Sequence, residues 1–361
     1  MSDHLSELVE DTISTLEECK CVAVENEMDL SALNLGMIAA HYNIKYTTIE
    51  VFSASIKAKT NLKGLLEILS HALEFDELSV RHKEDKMLRR LARHLPVKIG
   101  KPDYNSVETK ANILLQCHFS RRKLPADLDR DQDFVVRTAP RLLRAMVDVI
   151  AYSSWLNPGL AAMELCQMVV QSMWTTDHVL KQLPHFGSKV IEFVKSKHQD
   201  LDVYGLLEME DDERMEILKL IPEENHAAVA NACNRYPNIE ITVGEPDEIL
   251  AGEQACINVL LEREIDDGEQ LEKVSAPFYP EEKIENWWLV LGDKDTKAMY
   301  CTKLVNFTRK KKVPLRFFAP EAGSYTWTVY LMCDSYMGCD QIEELEVTVK
   351  PSEGVDAMDT E

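Results

Sequence analysis

No stretch of this chain approaches the roughly 18 consecutive apolar residues that a membrane-spanning helix needs. Its first residues, MSDHLSELVEDT, are acidic and amphipathic, and have neither the basic start nor the apolar centre of a signal peptide. Both absences argue against a membrane protein. Paired cysteines are missing too. Nine cysteines are present with no CxxC and no Cys/His spacing of a zinc site. The odd count and apolar contexts such as Cys166 in AAMELCQMVV point to reduced thiols of the cytosol or nucleus. There is no GxxxxGK[ST] loop to cradle a triphosphate, no DExD/H-type box for magnesium, no HExxH and no GxSxG. Catalysis by this chain alone is therefore not expected, and no catalytic residue, metal ligand or cofactor is assigned. Positive charge is also short: 40 Lys and Arg face 62 Asp and Glu, a net −22, which argues against a protein that simply coats nucleic acid.

What is present is uneven. Residues 81–144 hold sixteen Lys/Arg against eight Asp/Glu, whereas 237–361 hold twelve against twenty-six. Such a chain can turn one face to phosphates and another to basic partners. A length of 361 residues suggests two or three domains. Leu5, Leu8, Val9, Ile13 and Leu16 recur at helical spacing, followed by two short extended stretches near 21–24 and 29–33. A helix and then a small hairpin resemble the tail of a winged helix, so 1–33 is read as the end of such a domain. Residues 34–177 read as a helical bundle, with Thr47 and Thr48 as candidate N-caps. Its longest helix is read from Phe134 to Trp155, with Pro140 bending it or setting its start. Residues 178–236 read as a helix-loop-helix region. After Pro237 the apolar period becomes two, and about seven strand-like runs predict an immunoglobulin-like or fibronectin-like β-sandwich over 237–350. An acidic tail, 351–361, is expected to be disordered.

Three groups of residues are candidates for function. Arg137, Arg141 and Arg144 stand at i, i+4 and i+7, on one face of a helix. They form either a rail along a phosphate backbone or a solvated face. The basic helix with Arg81, Lys83, Lys86, Arg89, Arg90 and Arg93 leaves the same two readings open. The second group is the turn LKQLPHFG, where Leu183 and Phe186 plug a core and Pro184 fixes the bend. His185 occupies the position where a phosphate-binding helix-hairpin-helix usually has glycine. Its Cβ disfavours that geometry, so a structural joint is the better reading. Third, Trp287 and Trp288 are neighbours in a strand, so one is expected in the core and the other exposed or at an interface. Adjacent Cys117 and His118 suggest thiol chemistry on paper, but ILLQCHF reads as core. Cys333 and Cys339 are expected to stay unpaired, and the sequon at Asn306 to stay unused.

The stretches LNLGMIAAHYNIKYTTIEVFS, SSWLNPGLAAMELCQMVVQSMW, LKQLPHF, CNRYPNIE and YLMCDSYMGCDQ together resemble the Sec-63 homology module over nearly the whole chain. Within that family the chain is most similar to modules of the large spliceosomal DExD/H-box RNA helicases. The resemblance implies the order helical bundle, helix-loop-helix, fibronectin-like sandwich. It maps a ratchet beside the nucleic-acid path onto the helix of Arg137, Arg141 and Arg144. It also implies a nuclear location, upstream helicase motor domains and spliceosomal proteins as partners, RNA as a further contact, and the role of a protein-binding, regulatory C-terminal module. The endoplasmic reticulum translocation protein shares the module but would bring membrane spans and a His-Pro-Asp segment, and the sequence has neither. A free-standing interaction scaffold is the other alternative.

Overall fold

Helical spacing and strand alternation fall on opposite halves of the chain. The computed structural model, which describes residues 2–26, 29–265 and 271–352, has its helices before residue 235 and all but two short strands after residue 238. The chain forms two compact units that meet in sequence between Val169 and Val170.

The first unit opens with α1 (Ser2–Glu18) and an antiparallel pair, β1 (Val22–Glu25) with β2 (Asp29–Ala32). Six helices follow: α2 (Asn34–Tyr42), α3 (Tyr46–Ser55), α4 (Leu62–Ser70), α5 (Glu84–Ala92), α6 (Val107–Phe119) and α7 (Ala126–Tyr152). The next helix, α8 (Leu156–Gln171), runs up to the boundary and just past it. Every residue of α6 from Thr109 to Phe119 is buried, and α7 packs against α2, α3, α4 and α6. The expected caps of α3 do not act as caps. The helix starts at Tyr46, and Thr48 lies inside it with its hydroxyl donated to Glu74 Oε2 at 2.7 Å. Glu74 Oε1 accepts the Lys45 N–H at 2.8 Å, so a carboxylate from another segment serves the helix start that a local hydroxyl was expected to serve.

The long helix α7 begins eight residues before Phe134 and runs unbroken through Pro140. Extended Pro125 is its N-cap, and Asp127 and Asp129 occupy its first turn, where the helix dipole favours negative charge. The proline ring is buried among the apolar residues of α7, and losing one interior hydrogen bond does not stop a helix held by so broad a buried face.

In the second unit, α9 (Ser188–Lys197), α10 (Val203–Glu208), α11 (Asp211–Leu218) and α12 (His226–Asn234) are short. Eight strands follow among the described residues: β3 (Ile239–Val243), β4 (Ile249–Leu250), β5 (Gln254–Arg263), β6 (Trp287–Asp293), β7 (Ala298–Val305), β8 (Lys310–Phe318), β9 (Gly323–Cys333) and β10 (Gln341–Lys350). They form a five-stranded sheet, β4-β10-β9-β6-β7, and a three-stranded one, β3-β5-β8, with only the β4–β10 pair parallel. Ile257, Val259 and Leu261 from one sheet share a buried cluster with Leu289, Trp327 and Val329 from the other. Alternation explains the selection, since in β5 and β8 the odd-numbered residues are the buried ones. The β9–β10 turn needs glycine at 338. Its φ is +83°, and a Cβ there would lie 2.6 Å from Val179 Cγ2. The acidic tail read at 351–361 lies outside the described residues from 353 onward.

Candidate nucleic-acid interface

Helical spacing sets Arg137, Arg141 and Arg144 along one stripe of α7, but their surroundings differ. Arg137 is 47% exposed and lies 3.9 Å from Asp133, one turn before it. Exposed Arg141 donates to the Asn43 carbonyl at 3.3 Å. Asn43 is the left-handed C-cap of α2 (φ 50°), so the guanidinium sits at the negative end of that helix. Arg144 is half-buried and close enough to Tyr42 for its charge to favour the phenolate. The Tyr42 hydroxyl donates to Asp148 Oδ2 at 2.8 Å. Burial, then the neighbouring Asp148 charge, push the Tyr42 phenol up. Burial also raises Asp148, against the opposing hydrogen bond from Tyr42 and the charge of His41. The stripe therefore carries two exposed guanidiniums and a half-buried third near Tyr42, with carboxylates at 133 and 148 bracketing it.

The basic helix is partly committed as well. Arg81 donates to Glu84 at 2.9 Å and through Nη2 to Asp131 Oδ1 at 2.9 Å. Lys110, fully buried on α6, gives its ammonium protons to Ser79 O at 2.7 Å, Glu84 at 2.8 Å and Asp131 at 2.6 Å. Sequence reasoning missed this cluster. Its one signal was a lone lysine in an apolar helix, TKANILLQCHF, which has to find a carboxylate. Arg89 stacks over Tyr104 at 4.6 Å, while Arg90 and Arg93 are exposed.

The hairpin residues lie in the second unit. Leu183 and Phe186 are buried in the same cluster as Trp287, Pro184 is half-buried and His185 is exposed. Contrary to expectation, the Cβ of His185 does not keep it from glycine-like geometry, for its φ is +65°. With Leu183 and Phe186 both held in the core, the residue between Pro184 and Phe186 must reverse the chain. A left-handed residue at a cost of about 1 kcal/mol is how it does so. The Gly187 N–H then closes on the His185 carbonyl at 2.8 Å, and Gly187 is the extended N-cap of α9.

Trp287 and Trp288 require a second correction, because each is only 1% exposed and neither is free for a partner. All seven residues of β6 are buried, since the strand lies between β9 and β7 and is covered on both faces. Alternation predicts one wet tryptophan only where one face of a sheet meets water.

No nucleophile emerges at Cys117 and His118. Burial pushes the thiol up to about 11 and the imidazole down to about 4, so both groups are neutral, and His118 Nε2 lies 2.7 Å from the Val169 carbonyl. All nine cysteines are free thiols, Cys333 and Cys339 included. Among the described residues no group of His, Cys, Asp and Glu is arranged to hold a metal ion, and no helix is long and apolar enough to cross a membrane.

A family model described as the Sec63 Brl domain matches residues 32–346. Among curated proteins, the human U5 small nuclear ribonucleoprotein 200 kDa helicase is 47% identical over 98% of this chain. The Drosophila melanogaster protein of the same name is 45% identical over 97%, and the Arabidopsis thaliana DExH-box ATP-dependent RNA helicase DExH12 is 46% identical over 99%. The chain spans only 16–17% of the length of these relatives.

Proposed function

The chain belongs to the Sec63 Brl-domain family, and from that premise we propose that it acts as the non-catalytic C-terminal module of a spliceosomal ATP-dependent RNA helicase, a protein-interaction and regulatory platform in the nucleus. The observation that carries this reading is its 47% identity, along almost its whole length, to one segment of a U5 small nuclear ribonucleoprotein helicase. Its partners are then helicase motor domains in the same polypeptide and spliceosomal proteins. Leu5, Leu8 and Val9 on α1 are each more than half exposed, which supports α1 as the last helix of a winged-helix domain whose other helices cover it. A β3-β5-β8 sheet facing a β4-β10-β9-β6-β7 sheet supports a fibronectin-like sandwich over 237–350. The burial of Leu183 and Phe186 in one apolar cluster supports 178–236 as a helix-loop-helix joint.

RNA contact belongs to the α7 stripe. Exposed Arg141 makes a weak surface contact that a phosphate can displace, and Arg137 lies one turn before it on the same face. A chain with Arg137, Arg141 and Arg144 changed to Glu is expected to lose about tenfold or more in affinity for single-stranded RNA at low salt. Unchanged affinity would remove the ratchet assignment. The platform reading is tested separately by capture. The chain should retain spliceosomal proteins, or motor domains supplied in trans, and retention of neither would leave it without support.

A further inference from the structure

The outer face of the three-stranded sheet differs in charge from the acidic region around it. Strand β8, KKKVPLRFF, holds Lys310, Lys311, Lys312 and Arg316 and no carboxylate. Its even-numbered residues point outward and lie opposite outward residues of β5: Lys312 opposite Leu260, Arg316 opposite Cys256, Phe318 opposite Gln254. Lys310 is answered by Glu262 at 2.7 Å. Among the described residues no carboxylate pairs with Lys312 or Arg316, and both are exposed. Phe318 is 73% exposed, more than any other large hydrophobic residue described. Two unanswered cations and a bare phenyl ring on a flat face suit an extended acidic segment with an apolar anchor.

The chain carries such a segment and delivers it beside this face. Residues 353–361, EGVDAMDTE, hold Glu353, Asp356, Asp359 and Glu361 around Val355 and Met358. The preceding strand β10 ends where the Ala251 N–H binds the Lys350 carbonyl at 2.9 Å. The next residue, Gly252, donates to the Ala319 carbonyl at 3.1 Å, and Ala319 directly follows Phe318. The end of β10 and the end of β8 are thus tied to neighbouring residues of one short connection. At about 3.3 Å per residue, residues 351–361 reach about 35 Å, while the path from Phe318 back to Lys312 is only about 20 Å. We infer that the acidic segment 353–361 binds in cis across the outer face of β5 and β8, its carboxylates answering Lys312 and Arg316 and Met358 covering Phe318.

The test uses the full chain with 13C-labelled methionine methyl groups, the Met358 resonance being assigned by Met358→Leu. The Met358 methyl is expected to be displaced by the Phe318 ring from its position in the free peptide PSEGVDAMDTE, and to move partway back in about 0.5 M salt, where the Debye length is a few ångströms. In the K312E/R316E chain, which keeps the ring and changes only exposed side chains, it should return to the free-peptide position. The proposal is overturned if Met358 of the unmodified chain already sits at the free-peptide position, if it stays displaced in K312E/R316E, or if the displacement grows with protein concentration, which would assign the segment to a second copy.

Discussion

Replacing Lys110 with Met tests how the basic segment 81–144 is used. The methionine fills the space of the lysine stem but removes the three donors to Ser79 O, Glu84 and Asp131, each at 2.6–2.8 Å. Two carboxylates, with side chains 8% and 13% exposed, are left with Arg81, whose own side chain is 41% exposed. Breaking a buried ion pair costs about 3–5 kcal/mol, and the surviving Arg81 contacts place Lys110→Met near the lower end, at about 3 kcal/mol. For a unit of this size that is about 6–12 °C in Tm. Native-state hydrogen exchange of the segment 107–119 in rising urea reads the loss where it occurs. A triple variant with Glu84→Gln and Asp131→Asn added should recover much of it, because the uncompensated charges are then gone. The pH response follows from Asp131. Burial opposes its ionisation, but the hydrogen bonds and charges of Arg81 and Lys110 outweigh burial and hold its pKa below the ordinary value. The cluster's stabilisation is therefore present above the unfolded carboxylate pKa and lost as pH falls through the lower folded value. In Lys110→Met that loss should begin at higher pH. A cost under about 1 kcal/mol, or a triple variant worse than the single one, would refute the reasoning.

Three further outcomes are expected. Gly338→Ala combines a left-handed residue with a 2.6 Å clash on Val179 Cγ2 and should cost about 2–4 kcal/mol in urea unfolding followed by tryptophan fluorescence; a change below 1 kcal/mol would count against the turn geometry. His118, pushed down to about 4 by burial from the ordinary imidazole value of about 6.5, should destabilise the fold as pH falls from 6.5 toward 4, because the unfolded chain takes up the proton first. The total is about 3 kcal/mol, and His118→Gln should flatten that part of the stability profile. Among the thiols only Cys256 and Cys301 are half-buried, and burial pushes the Cys301 thiol up. Alkylation of the native chain at pH 8 should therefore reach Cys256 first, and early labelling of Cys117 or Cys166 would contradict the packing of α6 and α8.

Elements with an uninterrupted period were legible in the sequence. The buried run of α6 and the alternation of β5 carry their own geometry. Signals that depend on distant neighbours were not. The start of α7 rests on Pro125 and the two aspartates after it, upstream of the first apolar cluster of DFVV. Strand β7, AMYCTKLV, shows no clean alternation because it is an edge strand with intermediate exposure at most positions. Trp288 is buried because β6 is covered on both faces, and the strand's own residues do not encode that. For the arginine stripe, i, i+4 and i+7 spacing indicates the face but not its depth. Arg144 is half-buried near Tyr42, a depth that the spacing does not encode.

The charge excess of 81–144 is consequently a poor count of the charge available to a ligand. Lys110 and Arg81 are tied into the carboxylate cluster. Lys98 and Arg122 donate to the carbonyls of Arg93 and His94, just past the C-terminus of α5, where cations offset the helix dipole. Arg89 is shared between Asp85 and Tyr104. Lys110 and Arg81 cannot leave their buried carboxylates at no cost, whereas exposed contacts such as that of Arg141 with the Asn43 carbonyl give way readily. Salt dependence separates the two populations. Each phosphate neutralised on a single strand adds about 0.7 to the slope of log affinity against log salt. A rail made by the α7 stripe alone predicts that the triple glutamate variant loses about 1.4–2.1 of slope, for two or three phosphates. A salt slope that persists in the variant would mean that the clustered cations also reach the strand, and the division between structural and available charge would then be wrong.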